Sequence, residues 1–146
     1  MEKIILSILV CLLAGLAGAA EPTWSTDLPA ALAQAKKDKK MVLMDFTGSD
    51  WCGWCIKLKK EVFNKPEFAK YATENLVLVE LDFPNKKPQS AELKKANAAL
   101  QAKYKVDGFP AIVVLDGEGK EVWKQVGYMA GGPAAWIAAL DKAKKK

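Results

Sequence analysis

Apolar and polar positions recur along the 146-residue chain with periods that mark out most of its elements. Between Asp27 and Lys39, residues Leu28, Ala31, Leu32 and Ala35 fall at the spacing of one helical face, and Asp27 stands ahead of Pro29 as a capping residue. The pattern predicts an amphipathic helix lying on a sheet. Met41 to Phe46, Leu76 to Leu81 and Ala111 to Leu115 are short, nearly unbroken apolar runs of strand length, which suits a sheet buried on both faces. Between the first two, Cys52 to Phe63 reads as a helix with Cys55, Leu58 and Val62 on its inner face, and Pro66 opens a second helical turn toward Tyr71.

A polar loop from Phe83 to Ser90 leads to a helical stretch from Ala91 to about Tyr104, with Leu93, Ala96, Leu100 and Tyr104 along one side. Asp116-Gly117-Glu118-Gly119 is a turn between Leu115 and the alternating Val122, Lys124 and Val126, so the last two strands should form an antiparallel hairpin. Gly131-Gly132-Pro133 then precedes a final helix that runs through Leu140 to a lysine tail. The order helix, strand, helix, strand, helix, strand, strand, helix describes an α/β protein whose mixed sheet lies between helices. That order alone fits several folds.

The first twenty residues carry a different pattern. Lys3 precedes an apolar run from Ile4 to about Leu16, and Ala17-Gly18-Ala19-Ala20 follow before Glu21. This is the layout of a secretory signal peptide, with cleavage expected near Ala20. The run is short for a membrane span, which needs about 20 apolar residues, so an uncleaved anchor is the lesser alternative. Cys11 lacks the small preceding residue of a lipid-attachment site and is read as part of the removed segment. The chain therefore divides into a signal peptide, residues 1–20, and one domain, residues 21–146, in a periplasmic or secreted location.

Composition narrows the chemistry. The net charge of +5 comes entirely from lysine, and the chain has no histidine. No Ser/His/Asp or Cys/His catalytic arrangement and no histidine metal ligand can exist. The lysines fall in runs without arginine forks or interleaved aromatics, a pattern of solvated helix faces rather than of nucleic-acid binding.

The candidate chemistry is Cys52-Gly53-Trp54-Cys55, placed where a buried strand gives way to a helix. Trp51 directly before the pair, Asp45 in the preceding strand and Gly108-Phe109-Pro110 before a later strand complete a pattern that resembles the thioredoxin superfamily from about Trp24 to Trp136. Amides and the dipole at a helix N-terminus stabilise a thiolate, so Cys52, as the first helical residue, should have its pKa lowered from about 8.5 into the range of roughly 3.5 to 7.5 and act as the attacking sulfur. Cys55, one turn on and better shielded, should resolve the mixed disulfide. A purely structural bridge is the alternative, but closing so small a loop gains only about 2 kcal/mol. Zinc would need four ligands and is not expected; soft copper has only ligand type in its favour.

The resemblance implies a thioredoxin-like fold, a central mixed β-sheet flanked by helices on both faces. It implies that the Phe109 backbone pairs with an extended substrate segment, while Pro110 after Gly108, in a loop that holds a cis proline in this family, packs beside Cys52. Asp45 would be the buried acid that takes the Cys55 proton through water; a strand-end carboxylate in water is the other reading. Two departures bear on it: the stretch from Asp45 to Cys52 is one residue longer than in thioredoxins, and the lysine that partners the acid there is replaced, on this reading, by Leu78. Gly53 leaves the approach to Cys52 open, and Trp54 stands where thioredoxins have proline. Trp51, Trp54 and Phe109 would form an apolar collar for flexible protein segments, although Trp51 would serve equally as half-buried packing.

The activity implied is dithiol:disulfide exchange with protein thiols and disulfides, without a bound cofactor and with the Cys52–Cys55 disulfide itself as the redox centre. A reductase fits better than an oxidase, because the histidine of strongly oxidising members is missing. A further protein must donate or accept the electrons, a membrane thiol-disulfide transporter being one candidate. The chain is expected to be a monomer. The rival readings are a client-binding, chaperone-like module with incidental thiols and a cytochrome-maturation thioredoxin.

Overall fold

The computed structural model describes residues 21–145. The predicted signal peptide, Cys11 included, lies outside the described residues.

Each element follows from a local signal. Helix α1 (Leu28–Asp38) starts where the Asp27 side chain accepts the Ala30 amide at 3.0 Å, has Pro29 in its first turn, and ends at Lys39 in the left-handed conformation. Strand β2 (Met41–Thr47) is buried along its whole length. Helix α2 (Gly53–Leu58) runs into a π-helical turn at Lys59–Phe63, and helix α3 (Pro66–Asn75) opens on a proline. Strand β3 (Leu76–Asp82), helix α4 (Ala91–Lys103), strands β4 (Ala111–Leu115) and β5 (Glu121–Val126), and helix α5 (Gly132–Lys144) complete the order. A two-residue strand β1 (Trp24–Ser25) precedes them.

The sheet order is β1-β3-β2-β4-β5. β1 and β2 run parallel to β3, while β4 is antiparallel to both β2 and β5. Side chains alternate between two cores. Val42, Met44, Phe46, Val113 and Leu115 face α1, whereas Leu43, Leu78, Ile112 and Val114 face Leu58, Val62, Phe68, Trp136 and Leu140 from the π-turn and the helices α2, α3 and α5. The mixed sheet therefore has helices on both faces.

Four details differ from the sequence reading. β1 was not foreseen, because two residues carry no period. The helix expected from Cys52 to Phe63 begins at Gly53, with Cys52 as its cap, and its last turn is π; α3 runs on to Asn75 rather than stopping near Tyr71. In α4, Ala96 is exposed and Asn97 buried. Asn97 donates its side-chain amide to the Asp82 carbonyl at the end of β3 at 3.0 Å, as does Gln89 at 3.0 Å. Lastly, a bulge sets Val114 opposite Trp123 and Leu115 opposite Glu121. Trp123 rather than Val126 packs inward, edge-on to Trp136 with ring centroids 5.6 Å apart.

Trp136 is the largest side chain in the core and is fully buried. It also packs on Phe63 at 5.7 Å and donates its indole N–H to the Met129 carbonyl at 3.1 Å. Replacing Trp136 by Ala should cost about 3 to 5 kcal/mol, read as a lower urea midpoint of the oxidised protein.

Candidate functional site

The site is assembled where β2 ends. Strand β2 gives way at Thr47 to a loop whose Gly48 carbonyl accepts the Cys52 amide at 2.8 Å and the Trp51 amide at 3.2 Å. A Cβ on Gly48 would overlap the Trp51 indole, so the tight crossing needs glycine. Cys52, extended at φ −86° and ψ 103°, caps α2: its Sγ accepts the Cys55 amide at 3.2 Å, and its carbonyl accepts the Ile56 amide at 3.0 Å. Cys52 and Cys55 are joined as a disulfide, with Cα atoms 5.2 Å apart. An amide that already points at the Cys52 sulfur stabilises the thiolate left there on reduction.

Cys52 is 7% exposed and Cys55 4%, so the first residue is only slightly the more open. Next to it Gly53 faces open space, since a Cβ there would meet nothing within 4 Å. Trp51, Trp54, Ile56 and Val126 are the strongly exposed large apolar side chains among the described residues, and all lie at this end of the sheet. Trp51 meets Phe109 edge-on at 5.9 Å, and Phe83 packs on Phe109 at 5.1 Å. The Phe109–Pro110 peptide is cis. Pro110 is buried, with Gly108 and Phe109 half-buried, and its carbonyl accepts the Gly127 amide at 2.8 Å. Trp51 and Phe109 thus lie together, and Trp51, 46% exposed, is also half-buried against the loop. Trp54 pairs instead with Tyr128 at 5.4 Å, and the Lys57 ammonium lies 5.1 Å from one ring centre and 5.0 Å from the other.

The loop is stitched to the segment after β3. The Asp50 carboxylate accepts the amides of Asn85, Lys86 and Lys87 at 2.9, 2.7 and 2.9 Å. These bonds, that from Asn85 first, hold its carboxyl below the ordinary value. Ser49 donates its amide and its hydroxyl to Asp82, and the Trp51 indole donates to the Phe83 carbonyl at 2.7 Å. The sequence reading passed over Asp50, Asp82 and Phe83. Only the runs of polar residues on either side hinted at them.

Asp45 lies on the same face of β2 as Leu43, beneath α2. It is 5% exposed, and its Oδ1 has no hydrogen-bond partner among the described residues. The reading of Asp45 as a carboxylate in water is corrected. Burial, and then the charge of Glu80, raise its pKa from 3.8 to about 8; Lys59 opposes the rise and Asp82 adds to it. The neighbour on β3 is also corrected: Leu78 stands opposite Leu43, and Glu80 stands opposite Asp45. The lysine comes from the π-turn, where Lys59 pairs with Glu80 at 3.3 Å. An acid within the apolar β3 run was the available sign of Glu80.

Residues 28–144 match the family model of a thioredoxin-like domain. The chain is similar to the disulfide bond reductase DsbH of Chlamydia pneumoniae, 43% identical over 79% of this chain and 69% of that protein. It is also similar to the thiol:disulfide interchange protein DsbD of Vibrio cholerae, 32% identical over 74% of this chain but only 17% of that much longer protein. A solved structure described as DsbH oxidoreductase superposes with a TM-score of 0.81 at 36% identity, covering 99% of this chain and 94% of the other.

Proposed function

From the premise that the chain belongs to the thioredoxin superfamily and is a thiol:disulfide oxidoreductase, we propose that it works as a reductase of protein disulfides in the periplasm or another exported space. The observation that carries this reading is a disulfide at the head of a helix, ringed by exposed Trp51, Trp54 and Ile56. The name of the 43%-identical relative, a reductase, supports the direction.

In the proposed cycle the Cys52 thiolate attacks a client disulfide, one client sulfur leaves as a thiolate, and a mixed disulfide forms. Cys55 then loses its proton and attacks Cys52, releasing the second client thiolate and closing the Cys52–Cys55 bond. Two electrons pass from the protein to the client, and no bound cofactor takes part. The client chain lies along Phe109 and Pro110, with Trp51, Gly53, Trp54 and Gly108 shaping the approach. A partner, proposed to be a membrane thiol-disulfide transporter, returns the two electrons. The protein acts as a monomer after loss of residues 1–20.

A Cys55→Ala variant should accumulate mixed disulfides through Cys52, detected as reductant-sensitive adducts whose protein partners are identified by mass spectrometry. An absence of adducts would remove the exchange mechanism. The reduction potential of the pair should lie near or below about −200 mV; a value near about −120 mV would reverse the proposed direction.

A further inference from the structure

Asp45 is the one fully enclosed carboxylate among the described residues, and beside it stands not a cation but a second acid, Glu80. A lone neighbouring acid would hold the proton on Asp45 to still higher pH. Lys59 answers that charge from the helical side, its ammonium 3.3 Å from Glu80. The pair also borders an open groove of about 220 Å³, lined by Thr47, Cys55, Ile56, Lys59, Asn64 and Glu80. Lys60 and Lys87 line it as well.

We propose that Lys59 and Glu80 are a positioning pair for proton transfer at Cys55: together they balance the charge facing Asp45 and border the groove by which water exchanges the transferred proton with solvent. The inference rests on the oxidoreductase reading. In the resolving step the Cys55 S–H proton passes through water to the Asp45 carboxylate, the sulfur bonds to Cys52, and the client thiolate leaves. The proton on Asp45 then departs to water in the groove. The groups facing Asp45 are Glu80 and Asp82 on β3 and Lys59 on the π-turn, and Cys55 on α2 is the sulfur that it serves.

Because the two partners oppose each other, removing either should move Asp45 in opposite directions. Glu80→Gln takes away a repelling charge and leaves the Lys59 charge unspent, so proton release becomes easier. Lys59→Met leaves Glu80 unbalanced, so release becomes harder. Each charge should move the midpoint by about one pH unit, a tenfold change in proton affinity.

The test mixes the reduced full-length protein with dithiobis(nitrobenzoate) across a range of pH. A fast first release of aromatic thiol reports attack by Cys52, and a slower second release reports attack by Cys55. The second phase should rise with pH through a midpoint that belongs to the coupled Asp45–Cys55 pair. Glu80→Gln should shift that midpoint acidward and Lys59→Met alkaline, Lys59→Arg should restore the wild-type value, and the first phase should keep its own profile. Circular dichroism of each variant checks the fold, and the Lys59 variants stand as an independent arm if Glu80→Gln does not fold. Unmoved midpoints, or midpoints that move the same way, in a wild type that shows both phases would overturn the pair's role alone. A wild type without a second phase would overturn the oxidoreductase reading and the inference with it.

Discussion

Replacing Cys52 by Ser should abolish the reduction of insulin disulfides, lowering the rate by at least about a thousandfold, while the fold survives. The serine hydroxyl is nearly isosteric with the thiol and can still accept the Cys55 amide that now points at Sγ. It is scarcely ionised at neutral pH, however, and forms no bond analogous to a mixed disulfide, so the first step of exchange has no nucleophile. Turbidity of insulin in the presence of dithiothreitol measures the loss, and far-ultraviolet circular dichroism confirms that the sheet remains. Activity close to that of the wild type would show that the two thiols are incidental and that the aromatic surface around them works by binding alone.

Replacing Asp45 by Asn should make the oxidised protein more stable, by an amount that grows with pH. In the unfolded chain this carboxyl releases its proton near pH 3.8, whereas in the folded protein it holds the proton up to about pH 8. Between those values the folded state binds a proton that the unfolded state has lost, so stability falls as pH rises. The asparagine variant lacks that penalty. The gap between those two values corresponds to roughly 5 kcal/mol as an order of magnitude, fully developed only above pH 8 and absent below about pH 4. Urea unfolding at pH 5, 7 and 9 should show the two proteins diverging with pH. Parallel curves would mean that Asp45 is not titrating as a buried group. The same substitution should slow the resolving step, since the amide cannot take a proton from Cys55; stability held back for the sake of chemistry is the expected pattern at such a site.

Much of this arrangement was legible before the structure because the deciding signals are local. The apolar runs at Met41–Phe46, Leu76–Leu81 and Ala111–Leu115 suited inner strands, Asp27 before Pro29 marked a helix start, and the Cys52–Cys55 spacing at a strand-to-helix junction marked the redox centre. What escaped depends on distant partners. Strand register decides which residue faces Asp45, and a choice two positions short exchanged Glu80 for Leu78. Lys59 reads as one more solvated lysine until the π-turn is known. Asn97 breaks the apolar face of α4 and donates to a carbonyl fifteen residues earlier, a contact that no periodicity announces. Asp50 looks like an ordinary loop acid until three amides from another loop converge on it.

That convergence has a bearing on how different clients compete. With three amides spent on one side chain and a tryptophan ring tethered to the neighbouring segment, the rim beside the sulfurs arrives already shaped. A polypeptide that settles there forfeits its own freedom of movement and little of its host's. On the proposed reading, clients whose cystines sit in slack or unfinished stretches of chain should then be reduced faster than those whose cystines lie in ordered ones.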